Sequence, residues 1–221
     1  MSLFDRKESA KDVAGCTDFS LLSPIAKISD VKKHCNIAFK HQYFSVCVNP
    51  VNVQIAKTYI TKELKKDIKV CAVVGFPLGE NTTNTKLFEA KNAIAEGADE
   101  IDFVISVSRC KSGDFAYVKN EITRMVRLAK KRVVKVIIET GYLNREEINK
   151  VVKICMRAKV DFIQTSTGYS MTQTTPEDVD YIARLCKGKC SVKAAGGVLT
   201  KQDAINLIRA GCTRIGTSRI L

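Results

Sequence analysis

The sequence predicts a single (β/α)₈ barrel over residues 1–221. Three observations predict it. Short apolar runs alternate with amphipathic segments from one end of the chain to the other, eight such runs recur, and no linker or low-complexity break interrupts them. Alternation of this kind gives parallel strands covered by helices, and eight repeats at spacings of roughly 20 to 30 residues fit a closed barrel. A doubly wound sheet fits less well, because no glycine-rich dinucleotide fingerprint follows the first run. The chain ends at Leu221, just after the eighth run, so the last covering helix is expected to be short or absent.

In order, the strand-like runs are Cys16–Phe19, Tyr43–Val48, Lys69–Phe76, Glu100–Ile105, Val133–Thr140, Asp161–Thr167, Ser191–Ala195 and Arg214–Thr217. The segment Phe88–Ala98 reads as a helix with Phe88, Ala90, Ala93, Ile94 and Ala95 ahead of a stop at Gly97. From Phe115 to Ala129, the residues Val118, Ile122, Met125, Val126 and Ala129 share a stripe. Asn144 with Glu147 has the spacing of a capping box before Ile148, Val151, Val152 and Cys155. Thr175 and Pro176 supply a cap and a first-turn proline, with Glu177 and Asp178 opposing the helix dipole. Thr200 to Asp203 opens the last long helix, and Gly211 closes it.

Composition narrows the function classes. With 45% hydrophobic and 27% charged residues, the chain can bury a core, and no apolar run is long enough to span a bilayer. The charged start MSLFDRKESAKD has no apolar segment of a secretory signal, and nine cysteines then read as reduced thiols of a cytoplasmic protein. There is no CxxC pair and only two histidines, His34 and His41, so neither a metal nor any other cofactor is expected. Cys186 and Cys190 read as a helix end and its loop. The net charge of +13 is dispersed in short doublets such as Lys32-Lys33 and Lys130-Lys131, which suits solvated helix faces better than a nucleic-acid footprint. A homodimer is among the assembly states left open.

Chemistry in such a barrel gathers at the carboxyl ends of the strands. Asp102 in EIDFVI and Lys193 in SVKAAGGV are charged residues inside apolar strands, a costly placement unless they are paired. They are either an internal ion pair or a carboxylate and an amine that move protons beside a carbonyl. Gly196-Gly197 ends the seventh run and Gly216-Thr217-Ser218 the eighth, the two places where barrels often hold phosphate on backbone N–H groups. The stretch DFIQTSTG, Asp161 to Gly168, runs from a strand into a Thr/Ser/Gly loop of similar character, with Gln164 at the strand end and Thr167 and Gly168 in the loop.

Six segments together carry a resemblance: SVCVNP (45–50), VGFPLGENTT (74–83), EAKNAIAEGADEID (89–102), KVIIETGYL (135–143), QTSTG (164–168) and KAAGGVLT (193–200). From about Asp18 onward the chain resembles the deoxyribose-phosphate aldolases. That family reversibly cleaves 2-deoxyribose 5-phosphate to glyceraldehyde 3-phosphate and acetaldehyde as class I aldolases, without metal. The resemblance implies a phosphorylated small-molecule ligand. It matches Asp102 and Lys193 to a proton-relay aspartate and a second lysine, Asp18 to a supporting carboxylate, and Cys47 to a position near the small aldehyde. Gly168, Gly196, Gly197, Gly216 and Ser218 match a phosphate cradle.

The departures fall in the same places. Gln164 stands at the position of the Schiff-base lysine, Tyr169 at a phosphate-binding lysine, and Arg219 at a serine of the phosphate loop, where a guanidinium could bind phosphate. The family's DHTLLKP is DFSLLSP here, Asp18 to Pro24. An amide nitrogen, its lone pair delocalised, cannot add to a carbonyl. Schiff-base turnover is therefore expected to be severely reduced. Three readings stay open: an aldolase that uses Lys193 as nucleophile, a non-catalytic phosphosugar-binding or regulatory protein, and a basic protein that binds polyanions.

Overall fold

A computed structural model of the chain describes residues 10–221. Eight parallel strands close in sequence order: β1 (Thr17–Leu21), β2 (Ser45–Val48), β3 (Lys69–Val74), β4 (Glu100–Val104), β5 (Val133–Ile137), β6 (Phe162–Gln164), β7 (Ser191–Ala195) and β8 (Arg214–Thr217). β8 returns to β1 with Asp18 opposite Gly216. The helices are α1 (Ala10–Gly15), α2 (Ile28–Lys40), α3 (Val53–Thr58), α4 (Thr83–Ala95), α5 (Val107–Lys111), α6 (Phe115–Ala129), α7 (Arg145–Ala158), α8 (Pro176–Cys186) and α9 (Lys201–Arg209). Residues 218–221, beyond β8, form no helix.

Strand alternation divides the barrel into two environments. Phe19, Val46, Val70, Ala72, Ile101, Phe103, Val134, Val136, Ile163, Val192 and Ile215 face outward into one apolar layer shared with the helices. On the inner face Cys47, Cys71 and Val73 form a small separate cluster with Leu22 and Phe76. Much of the remaining interior is charged.

Four of the apolar runs extend past their strands, that of β4 by Ile105 alone. β5 stops at Ile137 and β6 at Gln164, yet Ile138, Thr140, Thr165 and Ser166 stay buried. The chain continues as a rim, with Ile138 N–H donating to Gln164 O (3.0 Å) and Thr140 N–H to Thr165 O (2.9 Å). β3 stops at Val74 because the Gly75 N–H turns to the Glu89 carboxylate (2.7 Å).

The helix caps lie where the sequence places them for α7, α8 and α9. Asn144 and Glu147 exchange side-chain-to-backbone bonds at α7, the Thr175 hydroxyl accepts from Asp178 N–H, and Thr200 pairs reciprocally with Asp203. The first helix expectation needs correction. α4 begins at Thr83, capped by Thr82, and Phe88 is not on its buried stripe but 66% exposed. The buried face runs through Lys86, Ala90 and Ala93 instead. Lys86 turns inward to Glu121 and to Val104 O, both at 2.8 Å, and a residue two positions on points the other way.

One buried residue of α2 makes stability pH-dependent. His34 donates from Nε2 to Phe19 O at 2.9 Å and stacks on the Phe19 ring at 3.9 Å. Burial lowers its pKa to about 4, against the Phe19 carbonyl, which favours the protonated form. A depressed histidine stabilises the fold fully above its unfolded value near 6.5 and loses that contribution as pH falls toward 4. The full effect is about 3 kcal/mol. We expect the urea midpoint of the protein to drop between pH 6.5 and 5, above the range in which ordinary carboxylates titrate. The variant His34→Phe should flatten that interval, and an unchanged slope would remove His34 as its cause.

Candidate active site

Inward-facing positions of five strands supply six charges. Asp18 comes from β1, Glu100 and Asp102 from β4, Lys135 from β5, Lys193 from β7 and Arg214 from β8. All six are buried. Lys193 Nζ lies 2.6 Å from Asp102 and 2.7 Å from Asp18, and Lys135 Nζ lies 2.5 Å from Glu100, 2.9 Å from Asp102 and 3.4 Å from Asp18. Arg214 closes the lower end, 2.7 Å from Asp18 and 3.1 Å from Glu100, with its guanidinium 3.7 Å from the Phe44 ring centre and 5.1 Å from that of Phe162. The Ser45 hydroxyl donates to Asp18 Oδ1 at 2.6 Å.

Three carboxylates thus face three cations, and the network is neutral as a unit. Burial alone would push the Asp18 and Asp102 carboxyls up, but Lys135 and Lys193 outweigh it, with Arg214 adding to the effect at Asp18, so Asp18 ends well below the usual range and Asp102 below it. The same pairing works in reverse on the amines. Burial would lower Lys135 and Lys193, and the carboxylates Asp102 and Asp18 raise both above an ordinary lysine. Both amines are ammonium ions at neutral pH.

Above this layer lies a cavity of about 660 Å³, lined among others by Cys47, Asp102, Gln164, Thr167, Gly168, Lys193, Gly196, Gly197, Gly216 and Ser218. In the sheet register Gln164 stands beside Lys193. Its Nε2 donates to Ser166 O at 2.9 Å, and its Oε1 is buried without a hydrogen-bond partner. Cys47 Sγ is 3.9 Å from Asp102 Oδ2. Tyr169 leans over the mouth, edge-on to Phe76 with ring centres 5.2 Å apart, and its hydroxyl is 3.5 Å from Leu22 O.

The loop after β6 is held by one carboxylate. Glu139, in a left-handed conformation with φ +52, accepts from the Ser166 and Thr167 hydroxyls, from Thr167 N–H (3.1 Å) and from the Ser170 hydroxyl (3.1 Å). That places Gly168 directly against Gly196. A Cβ on Gly196 would meet Ser166 and Gly168 at 3.0 to 3.2 Å, so side chains there would drive the two loops apart. Gly216 makes room of another kind, since a Cβ would meet Lys193 Cε at 3.0 Å.

Of the residues singled out in the sequence, Asp18 lies below the cavity within the charge network, and Arg219 stays outside its lining. Arg219 is exposed at the rim, its N–H bonded to Thr217 Oγ1 at 3.0 Å. Lys135, Glu100, Arg214 and Glu139 were not singled out. Lys135 carried the same signal as Lys193, a lysine between apolar strand residues in VVKVI. Glu100 and Arg214 open their strands, where a charge ordinarily meets solvent.

Cys47, Cys71 and Asp102 come close enough together to suggest a metal site. The donor chemistry opposes it: the Asp102 oxygens are engaged by Lys135 and Lys193, Lys135 Nζ is also 3.4 Å from Cys71 Sγ, and burial pushes the Cys71 thiol up.

A family model described as DeoC/LacD family aldolase matches residues 1–217. The deoxyribose-phosphate aldolase of Thermococcus kodakarensis is 43% identical over 210 residues, covering 94% of this chain and 93% of the relative. Among solved structures, the aldolase QR15 superposes with a TM-score of 0.88 at 41% identity, covering 94% of this chain and 91% of its own. The deoxyribose phosphate aldolase of Aeropyrum pernix, described as a unique tetramer, gives 0.86 at 33% identity, covering 95% and 88%.

Removing one member of the charge network should leave an uncompensated buried cation. Asp18→Asn leaves three cations facing two carboxylates, and breaking a buried pair in this way costs about 3–5 kcal/mol. Equilibrium urea unfolding at pH 7 measures it. A change under about 0.5 kcal/mol would mean that the network does not act as one unit.

Proposed function

This chain belongs to the DeoC/LacD aldolase family, and from that premise we propose that it binds a phosphorylated deoxysugar of the 2-deoxyribose 5-phosphate class but forms a Schiff base far more slowly than its relatives. One observation carries the reading. Gln164 occupies the cavity wall at the position that the resemblance gives to the nucleophilic lysine, and the two lysines inside the barrel are both bound as ammonium ions in carboxylate contacts. A class I aldolase needs a free amine within about 3–3.5 Å of the carbonyl carbon. An ammonium has no lone pair to offer, and an amide nitrogen has given its pair to the carbonyl.

Lys193 and Asp102 keep a different capability. An ammonium held at 2.6 Å by a carboxylate can donate a proton or a hydrogen bond to a substrate oxygen, with Asp18 holding the pair in place. In this proposal Cys47 borders the small-aldehyde end of the ligand. The phosphate lies against Thr167, Gly168, Gly196, Gly197, Gly216 and Ser218, the loops after β6, β7 and β8, with Arg219 reaching it only from the rim. The protein acts as one cytoplasmic domain without a cofactor, and the tetrameric relative supports self-association, for which a homodimer is the smallest form.

Loss of a covalent nucleophile leaves the acceleration due to binding and electrostatics alone, about 10³–10⁴ over water in triad enzymes. The purified chain, incubated with 2-deoxyribose 5-phosphate and borohydride and analysed by mass spectrometry, should carry no reduced adduct, and aldol cleavage should fall several orders of magnitude below that of a lysine-bearing relative. A stoichiometric adduct on Lys193 would assign the nucleophile to β7 and overturn the proposal, as would relative-like turnover without any adduct.

A further inference from the structure

The net charge of +13 is not spread evenly over the fold. In a parallel barrel every connection from a helix to the next strand lies at the end opposite the cavity, whose mouth is lined by loops that follow the strands. Three neighbouring connections at that end are 130–132 before β5, 159–161 before β6 and 187–190 before β7. They carry Lys130, Lys131, Lys159, Lys187 and Lys189, all exposed, and the half-buried Arg132. Asp161 is their one acid, and one of its oxygens accepts from Val134 N–H at 2.9 Å. None of the five lysines makes an ion pair among the described residues. α6 packs on α7 and α7 on α8, and at the usual helix spacing of about 8–10 Å their three ends form one basic strip.

Dipole compensation does not account for these lysines. Arg127, Arg157 and Arg184 already stand in the last turns, where a cation offsets the negative end of a helix. Lys130, Lys159 and Lys187 come after them, each with a positive φ, +54, +59 and +48. A Cβ makes that conformation costly, and glycine is the residue that adopts it freely. The ends of α4 and α9 do use glycine, Gly97 at φ +109 and Gly211 at φ +115. The three helices of the strip instead place an unpaired cation where a side chain costs stability.

We propose that this end of the barrel binds the phosphate backbone of double-stranded nucleic acid, independently of base sequence and apart from the cavity. Lysines meet phosphates as point charges, and the three connections hold no Asn, Gln or aromatic side chain to read or stack on a base. They hold no exposed large apolar side chain either, which a membrane surface needs for insertion and a protein interface for its core. The connections lie nearly thirty residues apart in the chain, so the sequence shows scattered lysines and only the fold gathers them.

Fluorescence anisotropy of the full chain with two labelled DNA duplexes of unrelated sequence, in KCl from about 50 to 200 mM, tests this. Both duplexes should bind alike, and log Kd should rise with log[KCl] at a slope of about 3.5–4.5, the value for four or five neutralised phosphates. The triple variant Lys130→Gly, Lys159→Gly and Lys187→Gly should lower that slope by about 2.7 and weaken binding about tenfold at 150 mM. Its melting temperature should hold or rise, because glycine relieves the backbone at those positions. Lys131→Gln with Lys189→Gln, which leaves the positive-φ residues untouched, should lower the slope by about 1.8 and repeats the comparison if the glycine variant does not fold. As a control, Lys33→Gln, Lys91→Gln and Lys119→Gln remove the same charge from exposed positions of α2, α4 and α6 and should leave binding within about twofold. Equal weakening by the control and the glycine variant would reduce the effect to net charge and overturn the inference. So would an unchanged slope in the strip variants, or no binding of either duplex at 50 mM KCl. Tighter binding to phosphatidylserine vesicles than to duplex would assign the strip to a membrane and overturn it as well.

Discussion

Six charges buried in the centre of the barrel constrain everything above them. Asp18, Glu100, Asp102, Lys135, Lys193 and Arg214 lie where layers of branched apolar side chains ordinarily fill such a barrel. Ions in that position are tolerated only if each desolvated charge finds an opposite partner at hydrogen-bond distance. Here each does, and the charges balance at three against three. Stability and chemistry are therefore in conflict at the same atoms. The contacts that make the interior tolerable also fix both barrel lysines as ammonium ions, the wrong protonation state for a nucleophile and the right one for a proton donor.

That conflict makes position 164 the deciding one. An amine there would lie one strand from Lys193, and a neighbouring cation lowers the pKa of a second amine toward the nucleophilic range. Gln164 instead places an amide beside Lys193, and its N–H is taken by Ser166 O of the loop that follows β6.

The fold was legible because short apolar runs, cap residues and helix stops agree with one another along the chain. Asn144, Thr175 and Thr200 cap the helices whose starts they mark. Phe88 misled, because its helix turns on Lys86, whose burial depends on a carboxylate thirty-five residues away, Glu121. The candidate site was legible in part. Asp102 and Lys193 stand out as charges in apolar strands, and Lys135 carries the same mark. Arg214 and Glu100 do not, since a charge at the first residue of a strand reads as solvated until Phe44 and Phe162 are seen to cover the guanidinium. Glu139 could not be read at all. Its role follows from a left-handed backbone and from a loop that folds back over it, neither of which local sequence specifies.

The protonation state of the barrel amines is the most direct test. Heteronuclear NMR of the lysine side chains, with Lys135 and Lys193 assigned through Lys→Arg variants, follows each Nζ through an alkaline titration. Both amines should remain ammonium beyond pH 10.5, the ordinary lysine value, after the exposed lysines have begun to titrate. Deprotonation of Lys193 near neutral pH would contradict the account, because a free amine would then face the cavity and the covalent route would be open.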